Sequence, residues 1–93
     1  MLKVGDYVKV KDQEFCEKVG NWNKTMSQYC GKVFKIVRID NHWRHPEYCL
    51  EGCTYISPNG RRINGHGYWN FRESTLIPWG VEKLKEFIKN ERN

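Results

Sequence analysis

The sequence has no long apolar run. Among its 93 residues no stretch of hydrophobic side chains exceeds three, as in Tyr48-Cys49-Leu50. A membrane-spanning helix needs about 20 such residues, so no span is expected. The recurrent catalytic motifs are missing too. There is no phosphate-binding loop, no glycine-rich dinucleotide fingerprint and no zinc-protease His-Glu-x-x-His. Cys, His and carboxylates are present, but no spacing arranges them as nucleophile, base and orienter, so an enzyme is not expected. The opening Met1-Leu2-Lys3-Val4-Gly5 shows no apolar leader segment and no small-residue cleavage site. On that basis a cytoplasmic location is expected. Repeats and low-complexity tracts are absent. No composition break marks a domain boundary, and both halves of the chain are mildly basic.

What is present describes a small folded domain. A chain of 93 residues makes one domain with a thin core. Aromatic residues reach 14 %, which suits a core filled by few, large side chains. The formal charge of +5 permits a nucleic-acid or acidic-protein partner.

Hydrophobic periodicity gives mostly strands. Tyr7-Val8-Lys9-Val10-Lys11 alternates and puts Val8 and Val10 on one face. Residues 12–28 read as a long connection. Within it Thr25-Met26-Ser27-Gln28 has capping-box form, with Thr25 as N-cap of a short helix. Residues 32–39, rich in β-branched side chains, read as a central or bent strand. Residues 48–51 give a short strand. Residues 53–56 and 61–63, around Ser57-Pro58-Asn59-Gly60, form a hairpin. Tyr68-Trp69-Asn70-Phe71-Arg72 alternates again, with Trp69 and Phe71 inward. A helix is expected at 79–93, where Val81, Leu84, Phe87 and Ile88 make an apolar stripe packed on the β-part.

The order of these pieces resembles a known pattern. Val4-Gly5-Asp6-Tyr7-Val8-Lys9-Val10, Tyr29-Cys30-Gly31-Lys32, Tyr48-Cys49-Leu50-Glu51 and residues 68–78 resemble, in that order, motifs of small SH3-like barrel proteins of phages and Gram-positive bacteria. These are similar in pattern to mind-bomb type repeats. The resemblance implies a mainly β fold: an SH3-like barrel of about five strands over residues 1–78, with a C-terminal α-helix at 79–93. An inserted β-hairpin, at about 52–67, and that helix depart from the pattern. The family transfers little about mechanism, since its members mostly lack assigned functions.

Four cysteines, Cys16, Cys30, Cys49 and Cys53, are expected as free thiols in a reducing compartment. Pairing of Cys16 with Cys30, or of Cys49 with Cys53, is the disulfide alternative. His42, His45, Cys49 and Cys53 form a zinc-like set, but the spacing lacks the tight knuckle of structural zinc, so no metal or cofactor is expected. The stretch from Gly52 to Arg72 holds no Asp or Glu, yet contains Arg61, Arg62, Tyr55 and four glycines. Together with Arg44, Trp43 and Trp22, these are the candidate binding residues. Arginine and aromatic side chains dominate interface hot spots, which points to a protein partner. A phage-type accessory protein modulating a host factor is one form of that reading. The alternative is nucleic acid, bound by arginine–phosphate pairing and base stacking. The chain is expected to be a monomer or a weak homo-oligomer.

Overall fold

The computed structural model describes residues 2–20, 22–41 and 45–80. The helix expected at 79–93 falls, beyond Gly80, outside them. Five antiparallel strands form one sheet: β1 (Tyr7–Val10), β2 (Val33–Asn41), β3 (Pro46–Thr54), β4 (Tyr68–Arg72) and β5 (Leu76–Pro78). Their order is β4-β3-β2-β1-β5. Among the described residues the sheet is open, with β4 and β5 at its edges.

β2 holds the sheet together. Its first part pairs with β1, Val8 opposite Phe34 and Lys9 opposite Val33. Its second part pairs with β3, Ile39 opposite Tyr48 and Asp40 opposite Glu47. Between Ile36 and Arg38 it advances two residues while β3 advances one, so Val37 is a bulge. A bulge raises local twist and bends a strand, which lets one strand serve two neighbours. β3 bulges more strongly. From Cys49 to Thr54 it runs five residues while β4 covers two, Asn70 to Tyr68. Gly52 sits in this distortion at φ 86°, a left-handed value that glycine adopts at little cost.

The strand alternation read from sequence matches the burial. Val8 and Val10 are fully buried and Lys9 is not. With Ile36, Tyr48, Leu50, Phe71 and Leu76 they form the main core. Phe71 is wholly buried, whereas Trp69 is only half-buried against that core. The Tyr48 hydroxyl donates to Glu73 at 3.2 Å.

The connection between β1 and β2 departs from expectation in three ways. An α-helix, α1 (Gln13–Val19), stands where only a connection was expected. The Asp12 side chain caps it by accepting from the Phe15 N–H at 2.8 Å. Its single buried residue, Cys16, leaves no apolar stripe to read. The following 3₁₀ turn (Lys24–Tyr29) is capped by Asn23, which accepts from the Thr25 N–H, not by Thr25. Gln28 donates to the Thr25 carbonyl instead of closing a capping box. Trp22 is no exposed aromatic: it is half-buried, lies edge-on to Phe71 at 6.0 Å and donates its indole N–H to Ser27. Tyr29 meets Phe71 and Phe34 edge-on as well. This segment therefore roofs the core.

Candidate functional site

Two regions gather chemistry-bearing side chains. One is a polar cluster around the buried Cys49, on the sheet face away from the main core. Arg38 on β2, Cys49 on β3 and Asn70 on β4 are opposed across neighbouring strands. Opposed residues project to the same face, and Asp40, two residues beyond Arg38, joins them. His66 closes the group from the 3₁₀ turn (Ile63–Gly65) that precedes β4. Cys49 is wholly buried yet is not part of the main core. The residues that cover it are polar.

The hydrogen bonds assign the protons. The Tyr68 backbone N–H donates to His66 Nδ1 at 3.1 Å. A ring nitrogen that accepts carries no proton, so the neutral ring holds its proton on Nε2. Nε2 then donates to the Asp40 carboxylate at 2.8 Å. Arg38 Nε donates to the other carboxylate oxygen at 2.6 Å. The Cys49 thiol donates to Asn70 Oδ1 at 3.1 Å. Burial pushes the Asp40 carboxyl up, but hydrogen bonds from His66 and Arg38 outweigh it and hold it below its ordinary value. Burial, followed by the Asp40 charge, pushes the Cys49 thiol up to about 12.

Cys49, His66 and Asp40 invite comparison with a nucleophile, base and orienter. However, Nε2 lies 3.9 Å from the thiol sulfur and already bears a proton, so His66 is not placed as a base for the thiol. As a metal site the same three donor atoms converge within 4.8 Å. Nε2 would have to lose its proton and the Tyr68 bond would be given up, the reverse of the usual support for a metal-bound histidine. The donors as arranged do not fit a metal; they satisfy one another.

Sequence spacing did not reveal this group, because Asp40 and His66 stand 26 residues apart. Of the zinc-like set, the structure brings His45 and Cys53 to neither Asp40 nor His66, and His42 lies outside the described residues. Burial alone raises the Cys53 thiol to about 12. All four cysteines are free thiols.

The second region is the insertion between β3 and β4. Tyr55 and Ile56 are 40 % and 58 % exposed, two of only four large hydrophobic side chains that stand out among the described residues. Ile56 pairs with Arg62 across the hairpin, and the Ser57 N–H donates to the Arg61 carbonyl. The turn at its tip is held by Ser57 and Asn59 side chains. Arg61 and Arg62 are exposed. Consecutive strand residues face opposite ways, so with Tyr55 and Ile56 both exposed the arm has no fully buried face. Tyr55 leans on Trp69, ring centres 5.9 Å apart. Asn64 continues the loop in the left-handed region at φ 53°, where asparagine is tolerated. Arg44, expected to extend this surface, and Trp43, expected as an exposed binding aromatic, lie outside the described residues. No protein-family model matches the chain, and neither a curated protein nor a solved structure matches it.

Proposed function

We propose that this chain is a non-enzymatic binding module. In this reading the arm carrying Tyr55, Ile56, Arg61 and Arg62 docks on an acidic protein segment that offers an apolar residue. The carrying observation is the juxtaposition of two exposed large apolar side chains with two exposed arginines, in a stretch without a single acid. Tyrosine and arginine are enriched in binding hot spots, and the missing acids leave the arginines free of local neutralisation. The pairing of β2 with β1 on one side and β3 on the other supports an SH3-like barrel as the scaffold.

Nucleic acid is the second reading, favoured by the same acid-free stretch. Two features weigh against it. Tyr55 already has Trp69 beside its ring, and Ile56 has no π-face on which a base could stack. Fluorescence anisotropy separates the readings, using acidic peptides with one large apolar residue alongside single- and double-stranded DNA and RNA. We expect peptide affinity to fall at least about tenfold both in Ile56→Ser and in Arg61→Glu/Arg62→Glu. Salt-sensitive nucleic-acid binding that survives Ile56→Ser but not the arginine change would reverse the assignment.

A further inference from the structure

An open cavity of about 350 Å³ lies between the 3₁₀ turn before β2 and the edge strand β4. Pockets that hold small ligands start at about 300 Å³. Its walls come from four segments: Asn23 and Met26 from the turn and its cap, Glu47 from β3, Asn64 from the insertion, and Trp69 and Asn70 from β4. Glu47 is the one charged residue among them, and neither arginine of the arm lines the cavity. The three carboxamides are each half committed. Asn23 Oδ1 accepts from the Thr25 N–H, which leaves its Nδ2 to donate. Asn70 Oδ1 accepts from the Cys49 thiol, which leaves its Nδ2 in the same position. Asn64 is the reverse: its Nδ2 donates to the Tyr68 carbonyl, which leaves Oδ1 to accept. The Trp69 indole N–H is buried and has no hydrogen-bond partner among the described residues. A buried donor left so is costly, and a partner for it calls for an explanation.

We propose that this cavity binds a neutral saccharide. A hydroxyl both donates and accepts, so a sugar can meet donors and acceptors set side by side. The spare N–H groups of Asn23 and Asn70, with the Trp69 indole N–H, give to hydroxyl oxygens. Asn64 Oδ1 and the Glu47 carboxylate take from hydroxyl hydrogens. Met26 and the Trp69 ring offer apolar surface to the C–H bonds of the sugar, whose slightly positive edge suits the negative face of an indole. An anionic ligand would meet the Glu47 carboxylate with no cation among the lining residues. A nucleobase carries its donors and acceptors along its edges in one plane. Polar groups arriving from four separate segments suit instead a ligand with hydroxyls all round its rim. The site goes beyond the protein-docking role of the arm, because its ligand is small and uncharged and uses neither Ile56 nor the two arginines.

The test titrates the isotope-labelled full chain with the methyl glycosides of glucose, galactose, mannose and N-acetylglucosamine. NMR follows the side-chain N–H signals of Asn23, Asn70 and Trp69. At least one glycoside should shift these signals saturably, with a Kd of about 1 mM. Asn23→Asp keeps the oxygen that caps the turn and removes only the spare N–H, so it should fold and weaken that binding about fivefold. Asn70→Asp keeps the acceptor for the Cys49 thiol and should act in the same direction. Ile56→Ser should leave the affinity unchanged, and glucuronate should bind more weakly than the glucoside. Circular dichroism checks that each variant folds; if Asn70→Asp does not, Asn23→Asp decides. No shift with any glycoside at about ten times 1 mM overturns the proposal. So does saturable binding that Asn23→Asp leaves unchanged, or a preference for nucleosides or N-acetyl dipeptide amides over every glycoside.

Discussion

The cluster around Cys49 and the arm around Ile56 use polar side chains in opposite ways. At the cluster every named donor has found an acceptor: Arg38 and His66 share Asp40, and Cys49 is answered by Asn70. On the arm, Arg61 and Arg62 reach solvent beside apolar neighbours that no core claims. A network that satisfies itself holds strands in register, because any displacement strands a buried donor or acceptor. An unsatisfied surface does little for stability and is available to something else. The polar side chains of the cluster are therefore engaged with one another. The plainer arm is where function is sought.

The largest expected effect comes from alkali. Cys16, Cys49 and Cys53 titrate near 12 in the folded chain, against an ordinary value of 9 when unfolded. Their contribution is complete below pH 9 and is lost as pH climbs from 9 towards 12. Each thiol that ionises only on unfolding lowers stability further as pH rises across that window. Urea midpoints measured along that range should fall steeply, and Cys49→Ser should flatten the fall. A flat profile would mean that the thiols are open to water and the cluster is not closed.

Asp40→Ala comes next. It takes the acceptor from both Arg38 and His66 and should cost about 2–3 kcal/mol in urea unfolding. Arg38→Ala should cost less, because that side chain is 53 % exposed. The Asp40 carboxyl is held below its ordinary value, so its contribution is present above that value and lost as pH falls through the lowered one. Asp40→Ala should remove that part of the acid sensitivity. The smallest effect belongs to the arm. Ile56→Ser and Arg61→Glu/Arg62→Glu should each leave stability within about 0.5 kcal/mol. A loss comparable to that of Asp40→Ala would make the arm a structural element and dissolve the contrast.

The strands were legible in sequence because alternation reports burial directly. Val8, Val10 and Phe71 sit where the period of two places them. β2 and β3 proved longer than their apolar runs, since backbone pairing carries them into polar residues such as Asp40 and Glu47. Helix α1 was illegible because one buried residue makes no stripe. Asn23 displaced Thr25 as cap because either residue can serve, and only the path of the chain chooses. The arm and its arginines were readable from charge pattern and turn residues. The Cys49 cluster was not, because two bulges and a loop from beyond β3 bring its members together, and no local spacing encodes that.

The shared strand β2 has a thermodynamic consequence. β1 and β5 are hydrogen-bonded to β3 and β4 only through it, so separating the halves costs β2 one of its two sets of strand hydrogen bonds. Ile36, at the point where the pairing changes hands, is wholly buried, and its backbone bonds to both Gly5 and Asp6. Opening either half exposes that residue. The two halves thus melt as one cooperative unit, and the amides of β2 around Ile36 belong to the slowest-exchanging protons in the molecule.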